Sequence, residues 1–384
     1  MSGAAPFDPS FLRRWPDIEA PELQAHDAAD RLLLGAAAER GLPGPGGLVV
    51  VNDHYGALTL GAAALGAAGV RVHQDGLSGE RALEENAGRA GAPAADFAVL
   101  GLGPELFAGA RLVLLQLPRS LDALDEVAGL AAEHGDQDLV LLAGGRVKHM
   151  NLAMNDVLGR HFGSVSAGLA RQKARVLTAT SPCSAAECPA SRFPLEAQYD
   201  AGLSAPLRIL ARGGTFGGPR LDPGTRFLLP RLAEARPAAT AVDLGCGNGT
   251  IAAFLALSRP GLRVRASDQS ASAVSSTAAT AEANGVADRI DVVRDDALSS
   301  LPDASQELVV LNPPFHVGNA VHAGIALKLI ADAGRVLAPG GELWCVWNSH
   351  LRYRPQLERL VGPTRQVDRN PKFTITVSTR PDRP

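Results

Sequence analysis

Apolar residues fall along this chain in short dense runs that alternate with longer, looser stretches. In the C-terminal half, residues 239–244 form an apolar run ending in glycines, followed by a helical apolar pattern over 251–258. Residues 264–267 then read as a strand, 270–284 as a helix, 290–293 and 308–311 as strands, 320–337 as a helix and 343–347 as a strand. Short apolar runs bounded by turn residues mark buried strands, and longer stretches with helical spacing mark helices. Their alternation predicts βαβ units, meaning a parallel sheet covered by helices on both faces. Residues 373–378 alternate apolar positions with Thr and Ser in the manner of an edge strand, and Pro339-Gly340-Gly341 reads as a turn separating helix from strand.

The N-terminal half repeats the plan, with strands at 47–51, 70–73, 112–117 and 139–142 and helices at 57–68 and 121–134. Separations support a duplication. Asn52 to Asp75 is 23 residues against 25 from Asp243 to Asp268, and Val51 to Leu117 is 66 against 67 from Leu244 to Leu311. Residues 179–206 mix Ser, Pro, Cys and Gly without periodicity and read as a connector. The expected organisation is a pair of tandem α/β domains, 1–178 and 207–384, joined by 179–206, which suits a chain of 384 residues.

Composition is that of an ordinary soluble protein, 46% hydrophobic and 20% charged. No apolar run approaches the ~18 residues of a membrane span. Residues 1–20 carry Asp8, Asp17 and Glu19 and no apolar core, so no signal peptide is expected and the cytoplasm is the expected compartment. Cys183 and Cys188 have no second Cys or His pair at zinc spacing beside them; with Cys246 and Cys345 they are expected as reduced thiols, without a metal. A net charge of −3 argues against a general nucleic-acid binder, but it divides into −8 over residues 1–200 and +5 over the remainder. Two basic clusters stand out: Arg146, Lys148, Arg160, Arg171, Lys173 and Arg175, then Arg352, Arg354, Arg359, Arg365, Arg369 and Lys372. Phosphate contacts need only a local patch, although either cluster taken alone reads equally well as a solvated surface.

Val242-Asp243-Leu244-Gly245-Cys246-Gly247-Asn248-Gly249 closes one strand and opens a helix. Glycines there let the backbone turn sharply and approach a ligand without Cβ clashes. The spacing is Gly-x-Gly-x-Gly, whereas dinucleotide binders usually show Gly-x-Gly-x-x-Gly. Asp268 closes the second strand, where a carboxylate can accept both hydroxyl hydrogens of a ribose. Asp296 follows the third strand, where its side chain could accept from an adenine amino group while the Ala297 N–H meets a ring nitrogen. A glycine turn and two acids in order, each at a strand's C-terminal end, predict a nucleoside-containing cofactor held by Asp243, Gly245, Cys246, Gly247, Gly249, Asp268, Asp296 and Ala297. Asp295, next to Asp296, leaves the adenine contact open between the two.

The strand at 308–311 runs into Asn312-Pro313-Pro314-Phe315-His316. The lone pair of a nucleobase amino group is delocalised into its ring, so the nitrogen is a poor nucleophile. An Asn side-chain oxygen and a backbone carbonyl can each accept one of its hydrogens and aim the nitrogen at an activated methyl group. Pro313 fixes φ and removes a competing donor, and Phe315 supplies a face on which an extruded base can stack. Asn312, Pro313 and Phe315 are the catalytic candidates; His316 either touches substrate phosphate or caps the next helix.

Together these residues resemble the class I S-adenosylmethionine-dependent methyltransferases of the amino-group type, and more closely the ribosomal RNA guanine-N2 methyltransferases of the small or large subunit. The resemblance covers nearly the whole chain. Asn312-Pro313-Pro314-Phe315-His316 matches that family's catalytic tetrapeptide and following His. Phe216 and Leu221-Asp222-Pro223-Gly224-Thr225 look like the segment that helps enclose the cofactor, which implies contacts from Thr225 and Asn312. Val51-Asn52-Asp53-His54-Tyr55-Gly56-Ala57 and Leu117-Pro118-Arg119-Ser120 resemble the family's non-catalytic N-terminal domain. Residues 146–150 and 173–175 lean toward the large-subunit branch, and 181–192 has no counterpart. The resemblance implies two tandem Rossmann-like domains, the first degenerate and the second catalytic with a seven-stranded mixed sheet. It also implies S-adenosylmethionine as cofactor and ribosomal RNA as substrate; a monomer is expected. Adenine in nucleic acid or a protein glutamine would pose the same chemical problem. A nicotinamide-dependent oxidoreductase would use the same glycine turn but leave 312–315 without purpose.

Overall fold

The computed structural model describes residues 7–90, 97–184, 188–314 and 320–382. The chain divides into two compact units, residues 1–193 and 194–384. In the first, strands β1 (Leu48–Val51), β2 (Val70–His73), β3 (Phe97–Val99), β4 (Leu112–Gln116), β5 (Val140–Arg146), β6 (Phe162–Ala167) and β7 (Ala174–Pro182) form one sheet in the order β3-β2-β1-β4-β5-β7-β6. In the second, β8 (Leu195–Tyr199) and β9 (Leu207–Ala211) make a small antiparallel pair. Strands β10 (Thr240–Leu244), β11 (Arg263–Asp268), β12 (Ile290–Arg294), β13 (Gln306–Leu311), β14 (Leu337–Asn348), β15 (Thr364–Arg369) and β16 (Phe373–Thr379) follow, in the order β12-β11-β10-β13-β14-β16-β15. The two sheets have the same topology. Six strands of each run in the same direction, and the last strand in sequence is inserted antiparallel between the fifth and sixth.

Period-two alternation along the strands builds a core on each face. In the second sheet Ala241, Val264, Leu308, Val310, Trp344 and Val346 pack on one side. Val242, Leu244, Val309, Leu311, Leu343 and Cys345 pack on the other. Because helices cover both faces, β1 and β4 are buried at every position and read as continuous apolar runs.

Four expectations change. Residues 373–378, expected as an edge strand, lie in β16, which is paired on both sides, with β14 and with β15. Residues 179–206, read as a connector, contain the end of β7 and all of β8, so the division between units falls at 193/194. Pro339-Gly340-Gly341 lies inside β14, where the pairing jumps from Gln306–Leu337 to Leu308–Glu342, so it is an irregularity within the strand. Cys183 and Cys188, expected as thiols, are joined by a disulfide whose Cα atoms stand 5.3 Å apart, within the ordinary range for that bond. Cys246 and Cys345 are free and buried.

Candidate active site

The C-terminal ends of β10, β11, β12 and β13 bring most of the expected residues of the second unit to one edge of its sheet. Gly245, Gly247 and Gly249 all have positive φ, at 73°, 55° and 77°. They are not equivalent. A Cβ on Gly249 would meet the Thr277 Cα at 2.9 Å, so that glycine lets two helices approach. A Cβ on Gly245 or Gly247 would meet nothing within 4 Å, leaving open space where a ligand can lie against bare backbone.

Hydrogen bonds hold the turn in place. Gly245 and Cys246 donate their N–H groups to the Ser267 carbonyl at 2.8 and 3.1 Å. The Gly247 N–H donates to Asp268 Oδ2 at 3.0 Å, and Ser270 N donates to Asp268 Oδ1 at 3.0 Å. Asn248 donates to the carbonyls of Gly218 and Arg220, tying the turn to the preceding loop, in which Phe216 is exposed. Asp243 is buried beneath the turn and accepts from Ala252 N at 2.9 Å. Burial pushes its carboxyl up to about 7, with Asp268 adding to the rise. Burial also pushes the Cys246 thiol up, and its sulfur accepts from the Thr277 hydroxyl.

At the end of β12 the two adjacent acids differ sharply. Asp295 is buried and accepts from Asp296 N, Ser300 N and the hydroxyls of Ser299 and Ser300. Asp296 is half-buried, 2.6 Å from the Lys328 ammonium. Ala297 holds a positive φ of 57°, and its carbonyl accepts from Ser267. Such a backbone is unusual for a residue with a Cβ.

Asn312 follows β13 and meets a segment 90 positions earlier in sequence. Asp222 caps the helix Pro223–Leu228, accepting from Thr225 N at 2.9 Å. The Asn312 Nδ2 then donates to Asp222 Oδ1 and to Thr225 Oγ1, both at 2.9 Å. A carboxylate accepts only, so it fixes which way the carboxamide faces. The Asn312 oxygen is left buried without a hydrogen-bond partner. Pro313 is buried and Pro314 exposed. Phe315 and His316 lie outside the described residues.

The first unit keeps the frame and changes its side chains. Asn52, His54 and Gly56 have φ of 61°, 61° and 97°, the same left-handed pattern as the three glycines. Asn52 N donates to the His73 carbonyl and His54 N to Gln74 Oε1, as Gly245 N does to Ser267 and Gly247 N to Asp268. Gln74, not Asp75, is therefore the counterpart of Asp268. Register pairs Val51 with Leu115 and Leu244 with Leu311, so Leu115 replaces Leu117 in the comparison and Gln116 matches Asn312. Gln116 donates to Asp30, three residues after the helix cap Asp27, as Asn312 donates to Thr225, three residues after Asp222. Side chains thus project where the second unit leaves bare backbone, and the amide of Gln74 stands where it has the carboxylate of Asp268.

Sequence reasoning did not single out Asn248, Asp222, Ser267 or Thr277 as positioning residues. Only Asp222 carried a readable signal, an Asp-Pro pair at a helix start.

Profiles of two families match: the RLMG N-terminal domain over residues 4–183 and the methyltransferase small domain over 206–377. The ribosomal RNA large subunit methyltransferase G of Pseudomonas paraeruginosa is 37% identical, covering 97% of this chain and 98% of that protein. The protein of the same name from Streptomyces coelicolor is 34% identical over 96% of this chain and 98% of its own. Among solved structures, the T. thermophilus 16S rRNA N2 G1207 methyltransferase in complex with AdoMet and guanosine superposes with a TM-score of 0.72. It is 21% identical and the match covers 94% of this chain and 97% of that one, a likeness of fold. With relatives this similar over nearly its whole length, the chain belongs to the ribosomal RNA large subunit methyltransferase G family.

Proposed function

We propose that this chain transfers the methyl group of S-adenosylmethionine to the exocyclic N2 nitrogen of a guanine in large-subunit ribosomal RNA, using the second unit alone for chemistry. The observation that carries the reading is the buried Asn312 oxygen, which has no partner while its nitrogen is clamped by Asp222 and Thr225. A buried acceptor left unsatisfied is costly, of the order of 1–3 kcal/mol, and is retained where a substrate donor completes it.

The residues present fit the cofactor. Open space over Gly245 and Gly247 receives it, Asp268 accepts from ribose hydroxyls, and Asp296 with the Ala297 N–H meets the adenine. Asp295 is occupied by its own hydrogen bonds, which favours Asp296 of the two. When bound, S-adenosylmethionine supplies an already activated methyl group. The chain's part is then positioning. The Asn312 oxygen accepts one amino hydrogen, the backbone at Pro313 accepts the other, and Phe315 stacks on the base. Thr225 both steadies Asn312 and lines the cofactor's side of the site, with Asp243 and Cys246 beneath the turn. The first unit presents RNA and performs no transfer, and the protein acts in the cytoplasm as a monomer without a catalytic metal. Among the described residues no helix is long and apolar enough to cross a membrane.

The test is methyl transfer from tritiated S-adenosylmethionine to undermethylated ribosomal RNA, followed by nucleoside analysis. Label in N2-methylguanosine of large-subunit RNA supports the reading. Label in an adenine, in small-subunit RNA only, or in protein would overturn it.

A further inference from the structure

The first unit holds a side-chain cluster that the methyl-transfer reading does not use. His161 stands between the helix Ala153–Leu158 and β6 and is buried, 6% exposed. Its Nε2 lies 2.8 Å from Asp125 Oδ1, on the helix Leu121–His134. Asp125 also accepts from Arg192 Nε at 2.7 Å, and because a carboxylate only accepts, the ring nitrogen facing it is the one that donates. Nδ1 then carries the lone pair, and it is buried without any hydrogen-bond partner. Gly129, one turn along the same helix, makes room for the ring: a Cβ there would sit 3.2 Å from His161 Cε1.

The side chains beside it are Cys183 and Cys188. A ring nitrogen of His161 and the two sulfurs all lie within 4.8 Å of one another. The Cys183 N–H donates to the His161 carbonyl at 2.9 Å, so the chain itself fixes one sulfur near the ring. Both cysteines are half-buried against the core of this unit, within reach of solvent.

We propose that Cys183, Cys188 and His161 form a zinc-binding site that the disulfide closes and reduction opens. An external dithiol passes two electrons and two protons to the disulfide, becoming a disulfide itself and leaving two thiols. Binding of zinc releases both thiol protons and joins two thiolates and Nδ1 to the ion, with solvent in the fourth tetrahedral position. Asp125 is the positioning residue, fixing the tautomer through Nε2 as carboxylates do for metal-bound histidines.

Full-length protein, reduced with a phosphine and stripped with a chelator, is titrated with zinc and, separately, with cobalt. The expected result is one equivalent of zinc per chain and a cobalt–thiolate charge-transfer band. Cys188→Ser should abolish the band and weaken zinc binding by about 100-fold or more, and Asp125→Asn should weaken it about 10–100-fold. The unreduced protein should take up none. The proposal is overturned if the reduced parent binds no zinc, or if the cobalt band survives in both Cys183→Ser and Cys188→Ser. His161→Ala is read alongside circular dichroism; should it unfold, the serine variants, which lose only a sulfur, decide.

Discussion

The carboxamide nitrogen of Asn312 lies 2.9 Å from the carboxylate of Asp222, a residue from the helix cap that precedes the cofactor sheet. That bond aims the Asn312 oxygen. Asp222→Ala should lower the single-turnover rate about 10–100-fold, the order of loss from misplacing a reacting group by an ångström. It also removes a helix cap, at about 1 kcal/mol of stability. Cofactor affinity measured by calorimetry should move little, and an unchanged rate would mean that the clamp is only structural.

The glycines of the turn separate binding from folding. Gly247→Ala places a Cβ into open space at positive φ, costing about 1–2 kcal/mol of stability, while intruding on the cofactor. Gly249→Ala drives a Cβ against the Thr277 backbone and should cost a further ~1–3 kcal/mol. Urea unfolding paired with S-adenosylmethionine titration should find Gly247→Ala mainly defective in binding and Gly249→Ala mainly in stability.

Asp243 gives the cofactor-free protein a pH dependence of definite sign. Its carboxyl is raised by burial from 3.8 to about 7, so between those values the folded protein holds a proton that the unfolded chain has released. This group's contribution is therefore fully present below about pH 4 and is lost as pH rises through about 7. Asp243→Asn keeps the acceptor for Ala252 N and removes the titration. Its stability relative to the parent should increase between pH 5 and 8 by something on the order of 2 kcal/mol. Parallel urea curves for the two proteins at both pH values check this; a constant difference would contradict it.

RNA affinity should depend on the C-terminal basic cluster. Arg352 and Arg369 are exposed and stand outside the turn machinery. If they contact phosphates, each Arg→Ala change should reduce the slope of log affinity against log salt by about one. A slope indifferent to both would leave them as ordinary surface charge.

The central strands of both sheets were legible because strands buried on two faces read as unbroken apolar runs. Short or polar-edged strands such as β3, β6 and β15 carried no such signal; in β6 most positions face solvent. The Asn-Pro motif proposed as catalytic and the glycine turn were readable as local sequence, but the clamp on Asn312 was not, because its partners lie about 90 positions away. Chemistry also misled. Matching acid to acid aligned Asp75 with Asp268, whereas backbone hydrogen bonds align Gln74. The buried carboxylate shows the same drift: Asp243 supports its helix from within β10, while Asp53 reaches the N–H groups of Leu58 and Thr59 from within the turn. The close approach of Cys183, Cys188 and His161 likewise depends on tertiary folding, since His161 lies 22 residues before Cys183.

The most direct measurement is the single-turnover rate of Asn312→Ala at saturating cofactor, set beside Gln116→Ala. Losing an acceptor that works chiefly in the transition state costs about 3–4 kcal/mol, so Asn312→Ala should transfer methyl two to three decades more slowly (~100- to 1,000-fold) with cofactor affinity nearly unchanged. Gln116→Ala, at the matching place in the first unit, should transfer at the parent rate. Parent-rate transfer by Asn312→Ala, or loss of transfer in a folded Gln116→Ala, would place the chemistry elsewhere in the chain.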